Sequence, residues 1–72
     1  MQVVCKDGFS MSVIRNGMAY GDEHHVEIGF PSEEEPLIMP YAEDEERPTR
    51  TVYGWVPNEL LNKVIDKHGG EI

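Results

Sequence analysis

Apolar and polar residues alternate through most of the chain, and only its last quarter switches to a helical repeat. Residues 2–6 are short and valine-rich, and the Asp7-Gly8 dipeptide that follows favours a tight hairpin turn. Phe9, Met11 and Val13 then recur at every second position, which puts them on one face of a strand. Asn16-Gly17 is a second turn signal, because both central residues of a type I′ turn need positive φ. It predicts a return strand through Met18-Ala19-Tyr20, and so a meander of two hairpins.

Gly21-Asp22-Glu23-His24 reads as a loop. Residues 25–30 alternate again, with Val26, Ile28 and Phe30 expected inward and Glu27 outward, until Pro31 withholds a ladder donor. Residues 32–36 form an acidic turn. Leu37-Ile38-Met39, closed by Pro40, is expected as an edge strand or an extended packed segment. A polar connection over 41–50 leads into a β-branched and aromatic strand at 51–56. There Tyr53 and Trp55 sit two apart, and so are expected on one face, as an aromatic core or interface.

The helix comes last. Pro57 suits the first helical position and Glu59 the first turn. Leu61, Val64, Ile65 and His68 fall at i, i+3, i+4 and i+7 and form a buried stripe with Leu60 beside it. Lys63, Lys67 and His68 suit the C-terminal half, and Gly69-Gly70 offers a left-handed cap. The expected fold is α+β: one domain over residues 1–72, a small antiparallel sheet of four to five strands packed by one C-terminal helix.

Composition supports folding. A chain of 72 residues buries about 60% of its unfolded surface, which limits stability to a few kcal/mol. Its 39% hydrophobic content and dispersed aromatics nevertheless distinguish it from a disordered acidic tail. A single Cys5 excludes an internal disulfide and fits a reducing compartment. No basic n-region opens the chain, and no apolar run approaches the roughly 20 residues of a membrane span. A soluble, cytoplasmic protein is expected.

Charge narrows the function. Ten acidic residues and no Lys or Arg lie between positions 22 and 46, and the net charge is -8. Such a surface repels nucleic acid and anionic membranes and attracts basic partners. The candidate partner-binding residues are Glu33, Glu34, Glu35, Glu43, Asp44, Glu45 and Glu46. Arranged as two neighbouring ridges, they can imitate a row of phosphates and occupy a Lys/Arg-lined channel. The ordinary reading of so acidic a run is a solvated loop that aids solubility.

Other chemistry finds little support. Cys5, His24, His25 and His68 lack the paired close spacing of zinc ligands, and adjacent histidines on a strand point apart. Cys5 is expected buried and His24 and His25 exposed. The carboxylates match no calcium-loop pattern, and no nucleophile motif surrounds Ser10 or Ser12. No cofactor and no enzymatic activity are expected. The alternative function is a homodimeric structural module with Met11, Met18, Met39 and Trp55 at an apolar interface.

Several blocks carry a likeness: Cys5-Lys6-Asp7-Gly8-Phe9-Ser10-Met11-Ser12-Val13, Val26-Glu27-Ile28-Gly29-Phe30-Pro31-Ser32, Leu37-Ile38-Met39-Pro40-Tyr41-Ala42-Glu43-Asp44 and Thr51-Val52-Tyr53-Gly54-Trp55-Val56-Pro57, with His68-Gly69-Gly70 near the end. Together they resemble a family of small hypothetical proteins encoded by bacteriophages and prophages. The resemblance implies a phage-encoded protein acting in the host cell. By analogy with short acidic phage proteins, it implies an inhibitor of host defence, of the anti-CRISPR or antirestriction type.

Overall fold

The computed structural model describes residues 1–15 and 22–72. Its described strands form a four-stranded antiparallel sheet in the order β1-β2-β3-β4, with one helix packed against it. The strands are β1 (Gln2–Val4), β2 (Ser10–Ile14), β3 (His25–Gly29) and β4 (Val52–Pro57), and the helix is α1 (Asn58–Lys67). The α+β class follows as expected, with four strands among the described residues rather than five.

The first hairpin turns where the Asp-Gly pair places it. Gly8 adopts φ +95, a left-handed conformation natural to glycine, and its amide donates to the Cys5 carbonyl. Asp7 Oδ1 accepts from the Phe9 amide at 2.9 Å, closing an Asx turn. The Asn16-Gly17 turn and the Met18-Ala19-Tyr20 return strand fall outside the described residues. Among those described, β2 pairs with β3, aligning Val13 with Ile28.

Alternation sets the core. Val3, Met11, Val13, Val26, Ile28, Tyr53 and Val56 point to the helix side and join Leu61 and Val64 of α1, with Cys5, Phe9 and Ile38 completing the cluster. Residues 37–39 depart from the expected edge strand. A turn leads into a short 3-10 helix (Met39–Tyr41) with Pro40 inside it, and Ile38 drops into the core at 0% exposure. Two prolines within five residues remove ladder donors, so a tight turn replaces pairing.

Strand β4 carries an extra residue. Val26 faces Val56 but Ile28 faces Tyr53, so Gly54 and Trp55 together oppose Glu27. This β-bulge reverses the alternation downstream: Tyr53 and Val56 are buried while Trp55 stands 51% exposed with φ +55. Tyr53 and Trp55 therefore do not share a face, contrary to the simple two-residue period. Phe30 also departs from expectation. It adopts φ +50 and is 60% exposed, which lets Pro31 enter the interior in its place.

Both sheet edges are partly covered. The chain after α1 returns beside β1, with Lys6 N–H donating to Gly70 O and Ile72 N–H to Val4 O. Residues 42–43 lie beside β4 through an Ala42–Tyr53 bridge and a Glu43 N–H to Val52 O bond. Covering an edge blocks its pairing with other chains. Pro57 ends β4 and caps the helix rather than occupying its first turn, with Glu59 and Lys67 placed to complement the dipole.

The positive φ at Phe30 stores about 1 kcal/mol, because a Cβ crowds the following carbonyl in that conformation. Phe30→Asn should raise stability by about 0.5–1 kcal/mol, since asparagine tolerates the left-handed region. Ile28→Ala, at 0% exposure, should cost about 2–5 kcal/mol. Urea denaturation of both variants checks these signs; a destabilised Phe30→Asn contradicts the strain assignment.

Candidate functional site

One of the acidic side chains, Glu35, leads away from the surface and into a buried charge cluster that Asp7 and Glu33 reach from the exposed side. Glu35 was expected on an outward ridge with Glu33 and Glu34, yet it is 1% exposed. The reason lies in α1: His68, at the end of the buried stripe, needs a partner inside the protein. Its Nε2 lies 2.7 Å from Glu35 Oε1 and its Nδ1 lies 2.6 Å from Asp7 Oδ2. The other Glu35 oxygen accepts from Lys67 Nζ at 2.9 Å and from the Leu37 amide at 2.8 Å. Phe9 stacks on the His68 ring with centroids 4.0 Å apart. Glu33 reaches the edge of the cluster, 4.0 Å from His68 Nδ1.

The protonation states follow from these partners. Burial pulls the His68 pKa down, but the hydrogen bonds and charges of Glu35 and Asp7 outweigh it and hold it above the ordinary 6.5. For Glu35, burial pushes up, and bonds from the Leu37 amide, Lys67 and His68 overcome that to hold it below 4.5. Asp7 is held below 3.8 by the Phe9 amide first and His68 second. Two cations and two carboxylates thus share one site.

The cluster is built to hold rather than to react. Both imidazole nitrogens face carboxylates, so neither is left to take a proton from a substrate. The Cys5 thiol is buried, and burial, Asp7 and Glu71 all push its pKa up, away from the thiolate. Among the described residues no group of three or more His, Cys, Asp or Glu is arranged to hold a metal ion. His24 is exposed beside Glu23, while His25 is half-buried in β3 with its Nδ1 2.8 Å from Asp22.

The remaining candidates stay at the surface. Asp44 caps its own loop, accepting from the Glu46 amide at 3.1 Å and pairing with Arg47 Nη1 at 2.8 Å. Glu33, Glu34, Glu43, Glu45 and Glu46 are exposed. Among the described residues no Lys, Arg or His comes within 4.0 Å of the Glu34, Glu43, Glu45 or Glu46 carboxylate. The buried Tyr53 relates the two acidic segments. Its hydroxyl donates to Pro48 O at 2.5 Å, and its pKa is raised by burial first and by the charge of Glu34 second.

An open groove of about 260 Å³ lies beside the second segment, lined by Tyr41, Glu43, Gly54 and Trp55. Of the residues expected at a dimer interface, Met11 belongs instead to the core at 0% exposure, because β2 turns it toward α1. Met39 packs partly against that core, Trp55 is exposed, and Met18 falls outside the described residues. The sequence signal for the buried cluster was His68 itself, a polar residue in an apolar helical stripe. No local signal separated Glu35 from Glu33 and Glu34.

Scanned against family models, curated proteins and solved structures, the chain finds no match in any of the three.

Linkage gives the cluster a pH signature. His68, raised in the fold, contributes stability that is complete below pH 6.5 and lost as pH rises through its folded value. Asp7 and Glu35, lowered in the fold, contribute above their ordinary 3.8 and 4.5 and lose it as pH falls. The cluster's contribution should therefore peak between about pH 4.5 and 6.5. Denaturant titrations of the native chain and His68→Gln should differ most in that window and converge at higher pH. A gap that widens above pH 6.5 contradicts the assignment. Glu35→Ala, which leaves the buried Nε2 of His68 without a partner, should cost about 3 kcal/mol.

Proposed function

We propose that this chain is a non-enzymatic interaction protein whose acidic segments bind a basic surface on a nucleic-acid-handling protein. The observation that carries this reading is the set of exposed carboxylates at Glu34, Glu43, Glu45 and Glu46 with no cation within 4.0 Å among the described residues. Glu33 joins them at the edge of the buried cluster. Ordinary surfaces intersperse both signs, so carboxylates without a cation beside them are held at the cost of self-repulsion. A partner with clustered Lys and Arg removes that cost and gains fast, salt-sensitive association.

The partner class follows from the same charge pattern. Channels lined for nucleic acid present basic residues at the spacing of phosphates, and carboxylates at 33–34 and 43–46 can substitute for several of them. The resemblance to phage-encoded proteins makes an inhibitor of host defence, of anti-CRISPR or antirestriction type, the specific form of this reading, acting in the host cytoplasm. The homodimer remains the competing proposal, favoured by Val4 and Ile14, each more than a third exposed.

Affinity capture from a bacterial lysate at low and high salt, read by mass spectrometry, separates the two. The expected result is a basic nucleic-acid-handling protein retained at low salt and released at high salt. The triple variant Glu43→Gln, Glu45→Gln, Glu46→Gln should weaken that capture about tenfold, each exposed pair contributing a fraction of a kcal/mol. It spares Asp44, which holds the loop. Unchanged capture by the triple variant, or recovery only of the chain itself irrespective of salt, contradicts the proposal.

A further inference from the structure

We propose that the groove lined by Tyr41, Glu43, Gly54 and Trp55 is a pocket for one basic side chain, an arginine above all, presented by the partner protein. The inference deepens the charge-complementarity reading and rests on it, by assigning one contact of defined chemistry within a diffuse acidic surface.

Size comes first. At about 260 Å³ the groove falls below the roughly 300–1,000 Å³ of small-molecule sites, and it is open rather than enclosed. That suits a single long side chain entering from outside. Its lining then selects the chemistry. Two aromatic residues and a carboxylate meet there, and a cation gains from both an aromatic face and a charge-assisted hydrogen bond. A neutral apolar group would instead desolvate Glu43 without compensation. Guanidinium is favoured over ammonium because it is planar, stacks on aromatic rings and is weakly hydrated.

The backbone argues for the same place. Trp55 is the sole tryptophan, and an ordinary strand would turn it onto the same face as Tyr53. The bulge instead holds it outward at φ +55, 51% exposed, with the His25 ring in T-shaped contact 6.0 Å away. A large aromatic kept in a strained conformation and out of the core is the pattern found at binding sites. The groove also opens where edge cover ends. Residues 42–43 reach Val52 and Tyr53, and among the described residues no further pairing on that side extends to Gly54 or Trp55.

Local charge completes the case. Glu45 and Glu46 follow Glu43 and are exposed, while Arg47 is already engaged by Asp44. Among the described residues no cation of the chain itself lies within 4.0 Å of the Glu43 carboxylate.

The test is an amide NMR titration of the full chain with two probes, acetyl-Gly-Arg-Gly-amide and its citrulline counterpart, which keeps the shape and loses the charge. The arginine peptide should shift the Trp55 indole N–H and the Gly54 amide saturably, and the citrulline peptide should bind about tenfold more weakly. Trp55→Ala should weaken arginine-peptide binding by about tenfold, read from the Gly54 amide, with a dispersed spectrum verifying its fold. Equal response to citrulline, or shifts that avoid Gly54 and Trp55, overturns the pocket. A deca-lysine peptide separates this failure from that of the broader reading. If it shifts residues 43–46 at low salt while the arginine peptide leaves the groove silent, the pocket falls and the charge reading stands. If both peptides leave the spectrum unchanged, both fall.

Discussion

The contact between Glu35 and His68 is the constraint on which the rest of the molecule depends. A domain this small has a modest apolar core, and the C-terminal end of α1 brings an imidazole into it. Buried polar groups are tolerated only when paired. Glu35 supplies one partner from the segment after β3 and Asp7 supplies the other from the β1–β2 turn, at 2.7 and 2.6 Å. Three segments distant in sequence are thereby joined through one ring. Lys67 and the Leu37 amide satisfy the second oxygen of Glu35, so the cluster is closed on itself.

That closure shapes the acidic surface. Drawing Glu35 inward fixes where Glu33 and Glu34 leave the protein, and the Tyr53 bond to Pro48 O ties the second acidic segment to β4. The loop over 43–50 is further held by Asp44, through Glu46 N–H and Arg47. On these tethered segments Glu33, Glu34, Glu43, Glu45 and Glu46 are exposed. The bulge at Gly54 and Trp55 adds an aromatic element beside them. Structure, charge and the proposed partner chemistry are linked through these anchors.

Much of the fold was legible in the chain. The Asp7-Gly8 turn, the alternation of Phe9, Met11 and Val13, and the stripe of Leu61, Val64 and His68 all specify local geometry that tertiary contacts then accept. What escaped was nonlocal. A period of two cannot reveal the extra residue that separates Tyr53 from Trp55, because the bulge appears only in the register against β3. Phe30 reads as a core residue until Pro31 takes its place. Glu33, Glu34 and Glu35 are identical side chains in one run, and only the position of His68 decides which one is buried. In the second run Glu43, Glu45 and Glu46 are exposed, and Asp44 turns back to cap its own loop, where among the described residues no buried cation stands near to draw one of them inward.

The most direct measurement of this account is the protonation of the His68 ring, followed by 15N NMR of the imidazole nitrogens across pH. A ring clamped between Glu35 and Asp7 should carry protons on both nitrogens and remain an imidazolium above pH 6.5, with both N–H signals protected from solvent exchange. A ring that loses its charge below pH 6.5, or shows one bare nitrogen under mildly acidic conditions, would mean that the buried cluster does not organise the fold.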